Sequence, residues 1–236
     1  MPLDGLPKES NPFLGTRAIR LCFQKPDIFR TQLRSILRSS TLGNVSIMFP
    51  MVSSLNEILQ LKNIVQDIKK ELKAEGERYD EKIEIGIMIE VPSAALIADL
   101  LVKEVDFFSI GTNDLIAYSI AVDRLNEKVA PLYQPAHPAI IRLLKYVIDT
   151  GAKHHKTVSV CGEMSSDMNY TLLLLGMGLR TFSVVPPAIP EIKKIIRSVS
   201  LNDAKEIAEK SFSFNNANDT IKFLKDETRR IVPDMI

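Results

Sequence analysis

One pattern recurs along the chain and restricts its fold more than anything else. A short, mostly apolar run ends in a polar or proline-bearing turn, and a longer stretch follows in which apolar residues return every three to four positions. Residues 45–51 (VSIMFPM) form the first such run, stopped by Pro50. Ser54 and Glu57 then make a capping box ahead of an apolar stripe through Leu55, Ile58, Leu61, Val65, Ile68 and Leu72. The same alternation places strands at residues 83–90, 106–110, 157–161 and 181–185. Helices are expected over residues 27–39, 94–102, 138–150, 167–176, 190–198, 203–211 and 219–231, with another running from the turn at 111–114 to Val122. Buried strands separated by helices imply a parallel sheet with helices outside it, either a barrel or an open doubly wound sheet. Five strands are legible where a closed barrel takes eight. In both architectures the reactive residues belong just beyond the carboxyl ends of the strands. Residues 1–10 read as a flexible lead and residues 11–236 as one domain.

The bulk numbers close off several classes of function. Thirty Lys and Arg stand against 29 Asp and Glu among 236 residues, so no broad field draws the chain to nucleic acid or an anionic membrane. An anion would be held by a few placed residues. Cys22 and Cys161 are the only cysteines and show neither a disulfide framework nor zinc-ligand spacing, which suits a reducing cytoplasm. The polar first residues are not the apolar centre of a signal peptide, and no apolar run approaches the roughly 20 residues of a spanning helix.

Polar residues gather at the expected strand ends. Glu90 closes Ile85-Gly86-Ile87-Met88-Ile89-Glu90, and Asp114 sits at the equivalent end of the next strand. If the strands adjoin, two carboxylates share a rim that suits Mg2+ completed by water and substrate oxygens. The alternative is that Asp114 caps the following helix while Glu90 pairs with an arginine. Asn113 offers two amide donors, and Gly111 allows close backbone approach. Arg124, ten residues on, can return a guanidinium to the rim or remain a surface arginine beside Asp123. Arg17 and Arg20 read as phosphate ligands or as a solvated face. Cys161 in Val158-Ser159-Val160-Cys161-Gly162-Glu163 is either a small core residue or a thiol whose pKa answers to a metal and arginines nearby. His137, His154 and His155 lack metal-ligand spacing and read as surface or packing residues.

The stretches Asn11-Pro12-Phe13-Leu14-Gly15-Thr16-Arg17-Ala18-Ile19-Arg20, Ile47-Met48-Phe49-Pro50-Met51, Gly86-Ile87-Met88-Ile89-Glu90-Val91-Pro92, Asp106-Phe107-Phe108-Ser109-Ile110-Gly111-Thr112-Asn113-Asp114-Leu115, Ala121-Val122-Asp123-Arg124, Tyr133-Gln134-Pro135 and Cys161-Gly162-Glu163 follow one another in this order. In this order they resemble the C-terminal domain of enzyme I, the phosphoenolpyruvate–protein phosphotransferases of bacterial sugar uptake. The resemblance implies a (β/α)8 TIM-type barrel that here lacks its first strands. It implies that Glu90 and Asp114 hold Mg2+, that Arg17, Asn113, Asp114 and Arg124 bind phosphoenolpyruvate, and that Cys161 protonates the enolate to release pyruvate. It further implies a homodimer and, as partner, a histidine-containing phosphocarrier protein reached through an N-terminal domain.

That family's acceptor-histidine segment, of Gly-Gly-x-x-x-His type, does not occur in these residues, nor do two upstream arginine segments of the barrel. Autonomous phosphotransfer is therefore not expected, and a truncated, split or partner-completed chain is. Two other readings stand beside this one. One is a non-catalytic remnant serving as a dimerisation module; the other is a relative of pyruvate–phosphate dikinase or phosphoenolpyruvate synthase, which shares the Gly-Thr-Asn-Asp and Cys-Gly-Glu features.

Overall fold

A computed structural model describes residues 9–235; residues 1–8 of the expected lead lie outside it. Helix α1 (Ala18–Gln24) runs end to end into α2 (Pro26–Ser39), which starts with proline in its first turn, where a missing N–H costs nothing. Strand β1 (Ile47–Phe49) leads to α3 (Leu55–Ala74), whose amino end carries the expected capping box between Ser54 and Glu57. After β2 (Ile85–Ile89), the single helix expected over residues 94–102 is two, α4 (Pro92–Leu96) and α5 (Ala98–Leu101), broken at Ile97, whose φ −108° and ψ 22° leave the helical basin. Strand β3 (Phe107–Gly111) passes straight into α6 (Thr112–Ile120), so residues 112–114 are the helix's first turn and not a separate loop. Helix α7 (Pro138–Lys153), β4 (Thr157–Cys161), α8 (Glu163–Ser166) and α9 (Met168–Gly176) follow. Strand β5 covers Thr181–Phe182 only, shorter than expected; one further ladder bond runs from Ser183 N–H to Val160 O before the 3-10 turn at Pro186. Helices α10 (Ile189–Ser198), α11 (Leu201–Ser211) and α12 (Ala217–Ile231) close the chain, α11 packing along α9.

The five strands pair parallel in the order β1-β2-β3-β4-β5. That order decides between the two architectures. A doubly wound sheet reverses direction at a switch point, whereas an arc of barrel adds every strand on the same side. The sheet is thus part of a barrel wall, as expected.

Register sorts its side chains into two faces. Phe49, Ile87, Phe108 and Val158 share a row, as do Ile89, Ile110, Val160 and Phe182. These join the apolar core with Leu61 and Val65 of α3, Leu101 of α5 and Leu144 of α7. The opposite face carries Met48, Met88, Ser109, Ser159 and Thr181, and it is partly open: Met48 is 39% exposed. Glu90, Gly111 and Cys161 end this face.

Candidate active site at the carboxyl ends of the strands

The rim is built around Glu90, which is only 6% exposed. Its carboxyl accepts the Met51 N–H at 2.7 Å, a bond aimed by the left-handed backbone of Met51 at the end of β1 (φ 58°). Burial pushes Glu90 up to about 7, the Met51 bond opposes this, and the nearby Asp114 carboxylate adds to it. The close fit depends on Gly111. A Cβ there would lie 2.9 Å from Glu90 Oε2 and 2.8 Å from the Met88 sulfur.

Asp114 lies in the first turn of α6, where a carboxylate favours the helix dipole. Arg17 reaches it from the amino-terminal arm, Nη2 to Oδ2 at 2.9 Å. The alternative arrangement does not hold: Asp114 makes no cap bond, and it is Asp114, not Glu90, that takes the arginine. Arg20 stays off the rim and donates to the carbonyls of Leu14 and Gly15 at 2.9 and 3.2 Å, bracing the arm instead. Glu9, the ninth residue of the expected lead, is tied back as well, accepting the Thr16 N–H at 2.9 Å.

On the other side of the rim, Asn113 Oδ1 accepts the Glu163 N–H at 2.9 Å. This leaves the two amide hydrogens of Asn113 as the donors available to a ligand. Gly162 makes the approach possible. Its φ of 95° is a glycine conformation, and a Cβ would sit 2.8 Å from Asn113 Oδ1. Arg124 does return to the rim and pairs with Glu163.

Cys161 is half-buried. Its thiol donates to Ile110 O at 3.5 Å and accepts the Ser109 hydroxyl at 3.7 Å, while Thr112 Oγ1 binds the Cys161 carbonyl at 2.7 Å. Burial raises the thiol pKa, the Ser109 bond opposes it, and the charges of Glu90 and Asp114 raise it further. The group is held as S–H at neutral pH, which suits a proton donor better than a nucleophile. Beside it, an open groove of about 680 Å³ runs between Asn113 and the segment Ser183 to Pro186.

Of the candidates singled out in the sequence, Glu90, Asp114, Arg17, Asn113, Arg124 and Cys161 meet on one rim and Arg20 does not. Four others on the rim were not singled out: Met51, Ser109, Tyr118 and Glu163 as the Arg124 partner. Only Glu163 carried a sequence signal, its place beside Cys161 and Gly162. His137 caps α7, its Nδ1 accepting the Ala139 N–H at 3.2 Å.

Whether the rim fits a divalent cation rests on its oxygens. Among the described residues no three His, Cys, Asp or Glu side chains converge as a metal cage. Two carboxylates do, and one of them is unpaired, buried and costly to ionise alone. Mg2+ is commonly held by one or two carboxylates with water and substrate oxygens, so the donors fit.

Residues 1–201 match the family described as PEP-utilising enzyme, PEP-binding domain. The chain belongs to this family. Among its relatives is a phosphoenolpyruvate-protein phosphotransferase of Listeria monocytogenes, 47% identical over 228 residues, which are 97% of this chain and 40% of the relative. That of Bacillus subtilis is 48% identical over 226 residues, 96% of this chain and 40% of the relative. The Haemophilus influenzae protein of the same name is 50% identical over 204 residues, covering 86% and 36%. The chain thus spans about two fifths of the length of the curated relatives it matches. These names favour the phosphotransferase over the dikinase or synthase reading. A solved citrate lyase from Burkholderia xenovorans shares the fold at 13% identity, with TM-score 0.52 over 87% of this chain and 68% of the lyase. Among the described residues no helix is long and apolar enough to cross a membrane.

Proposed function

We propose that this chain is the phosphoenolpyruvate- and Mg2+-binding part of a phosphoenolpyruvate–protein phosphotransferase. The observation that carries the reading is the rim itself: two carboxylates, two arginines, an amide and a thiol converge where adjoining parallel strands end.

Arg17 and Arg124 each meet one carboxylate and keep further N–H donors for the phosphate and carboxylate of the substrate. Asn113 presents its amide hydrogens from the same side. Glu90 and Asp114 would hold Mg2+, which when bound supplies positive charge against the phosphate oxygens. The phosphorus–oxygen bond to the enol breaks as a phosphorus–nitrogen bond forms to a histidine of another segment, proposed to lie outside these 236 residues. The enolate keeps the bond's electrons. Cys161 then gives its thiol proton to the methylene carbon, producing pyruvate, and the thiolate regains a proton from water. The carrier protein, the homodimer and a cytoplasmic setting belong to this proposal and rest on the sequence reading and its family resemblance.

Cys161→Ala tests the assignment that most separates a phosphotransferase from a passive anion site. In the enzyme completed with its histidine-bearing segment, the variant should bind phosphoenolpyruvate normally while pyruvate formation falls by about 100-fold or more, the ordinary worth of a placed acid. Unchanged pyruvate formation excludes Cys161 as the donor.

A further inference from the structure

Arg17 comes to the rim from a short arm whose own internal ties, Arg20 to the Leu14 and Gly15 carbonyls and Thr16 N–H to Glu9, do not reach the guanidinium. Before it the chain forms only a three-residue 3-10 turn, Pro12–Leu14, with Leu14 64% exposed. After it Ala18 takes a left-handed φ of 50°, a conformation that persists only where surrounding contacts enforce it. Its ion pair with Asp114 is part-exposed, and such pairs fix geometry weakly.

We infer that Tyr118 is the positioning residue that fixes the Arg17 guanidinium and the arm that bears it. Tyr118 follows Asp114 by four residues on α6, so the two share a helix face. Its hydroxyl does two things at once. It donates to the Phe13 carbonyl, and it accepts Arg17 Nη1 at 3.4 Å while Nη2 meets Asp114. Its ring lies 4.8 Å from the Phe13 ring, which in turn sits 5.0 Å beneath the Arg17 guanidinium. The Met51 sulfur, 3.8 Å from the hydroxyl, is the alternative acceptor for its one proton, and Met51 is the residue whose N–H holds Glu90. Burial raises the hydroxyl's pKa, so it stays a neutral donor and acceptor across the working range.

The inference rests on the reading of Arg17 as a substrate ligand, and it gives Tyr118 a task that Asp114 cannot perform alone. An Asp114 that turns its oxygens to a cation loosens its hold on Arg17; the tyrosine hydroxyl, neutral and committed to Phe13, does not.

Tyr118→Phe removes one oxygen and keeps the ring, so the unfolding midpoint should stay near that of the wild type. In the ligand-free chain, amide hydrogen exchange over residues 14–17 should speed up about three- to tenfold, the worth of one hydrogen bond, with exchange elsewhere on α6 unchanged. In titrations with phosphoenolpyruvate and Mg2+, Tyr118→Phe should weaken binding by a similar factor. The double variant with Arg17→Ala should bind no more weakly than Arg17→Ala alone. Unchanged exchange in the arm, or losses that simply add in the double variant, would overturn the inference. Equal binding by the wild type and Arg17→Ala would instead sink the reading of Arg17, and arm exchange would still decide whether Tyr118 anchors the segment.

Discussion

On the helix-covered face of the sheet Ile87, Phe108 and Val160 are sealed from solvent, while on the opposite face Met48, Ser159 and Thr181 remain open or half-open. The same strands supply both faces, and a one-residue step separates them. The covered face holds the wall together through apolar burial. The opposite face mixes Met48 and Met88 with Ser109, Ser159 and Thr181 and delivers Glu90, Gly111 and Cys161 to the rim. Stability and chemistry are thus divided by side-chain alternation rather than by position along the chain.

The largest effect that can test this division comes from the sealed face. Phe108→Ala should destabilise the chain by about 3–5 kcal/mol in denaturant unfolding, since it removes a fully buried ring from a packed core. A loss below about 1 kcal/mol would show that this face does not carry the fold.

Glu90 gives the next effect, and its sign follows from its raised pKa. A carboxyl whose folded pKa lies above its unfolded value stabilises the fold fully below the unfolded value, near 4.5, and that contribution is lost as pH rises through about 7. Metal-free wild-type chain should therefore lose about 2–4 kcal/mol relative to Glu90→Gln between pH 4.5 and 8. Parallel unfolding curves for the two proteins over that range would contradict a buried, uncompensated Glu90. The smallest effect belongs to the open face. Met48→Ala should cost about 1 kcal/mol or less, because much of the side chain already meets water. A cost as large as that of Phe108→Ala would mean that the two faces are not divided as described.

Much of this was legible in the sequence because parallel strands buried on the helix side announce themselves as apolar runs. Residues 157–161 were placed to the residue, and Ser54 with Glu57 marked the start of α3. The elements that escaped are those whose cause is not local. Strand β5 is cut short by its edge position, and α1 and α8 are too brief to show a period. Glu90, Asn113, Asp114 and Cys161 stand out as polar groups ending apolar runs, whereas Arg17 and Arg124 were singled out as ligands only through the family resemblance. Tyr118 could not be found, since its partner Arg17 lies 101 residues away and its spacing within α6 is that of any packed helix. Met51 acts through its backbone N–H, for which the side chain gives no sign.

The central claim, that the rim is a metal-dependent phosphoenolpyruvate site, is tested most directly by calorimetric titration of the folded chain with phosphoenolpyruvate, with and without Mg2+, alongside Glu90→Gln. The account predicts binding that requires Mg2+ and disappears in the variant. Binding of equal strength without Mg2+, or equal binding by Glu90→Gln, would contradict the assignment of Glu90 as a metal ligand, and no binding by the folded chain under either condition would contradict the site.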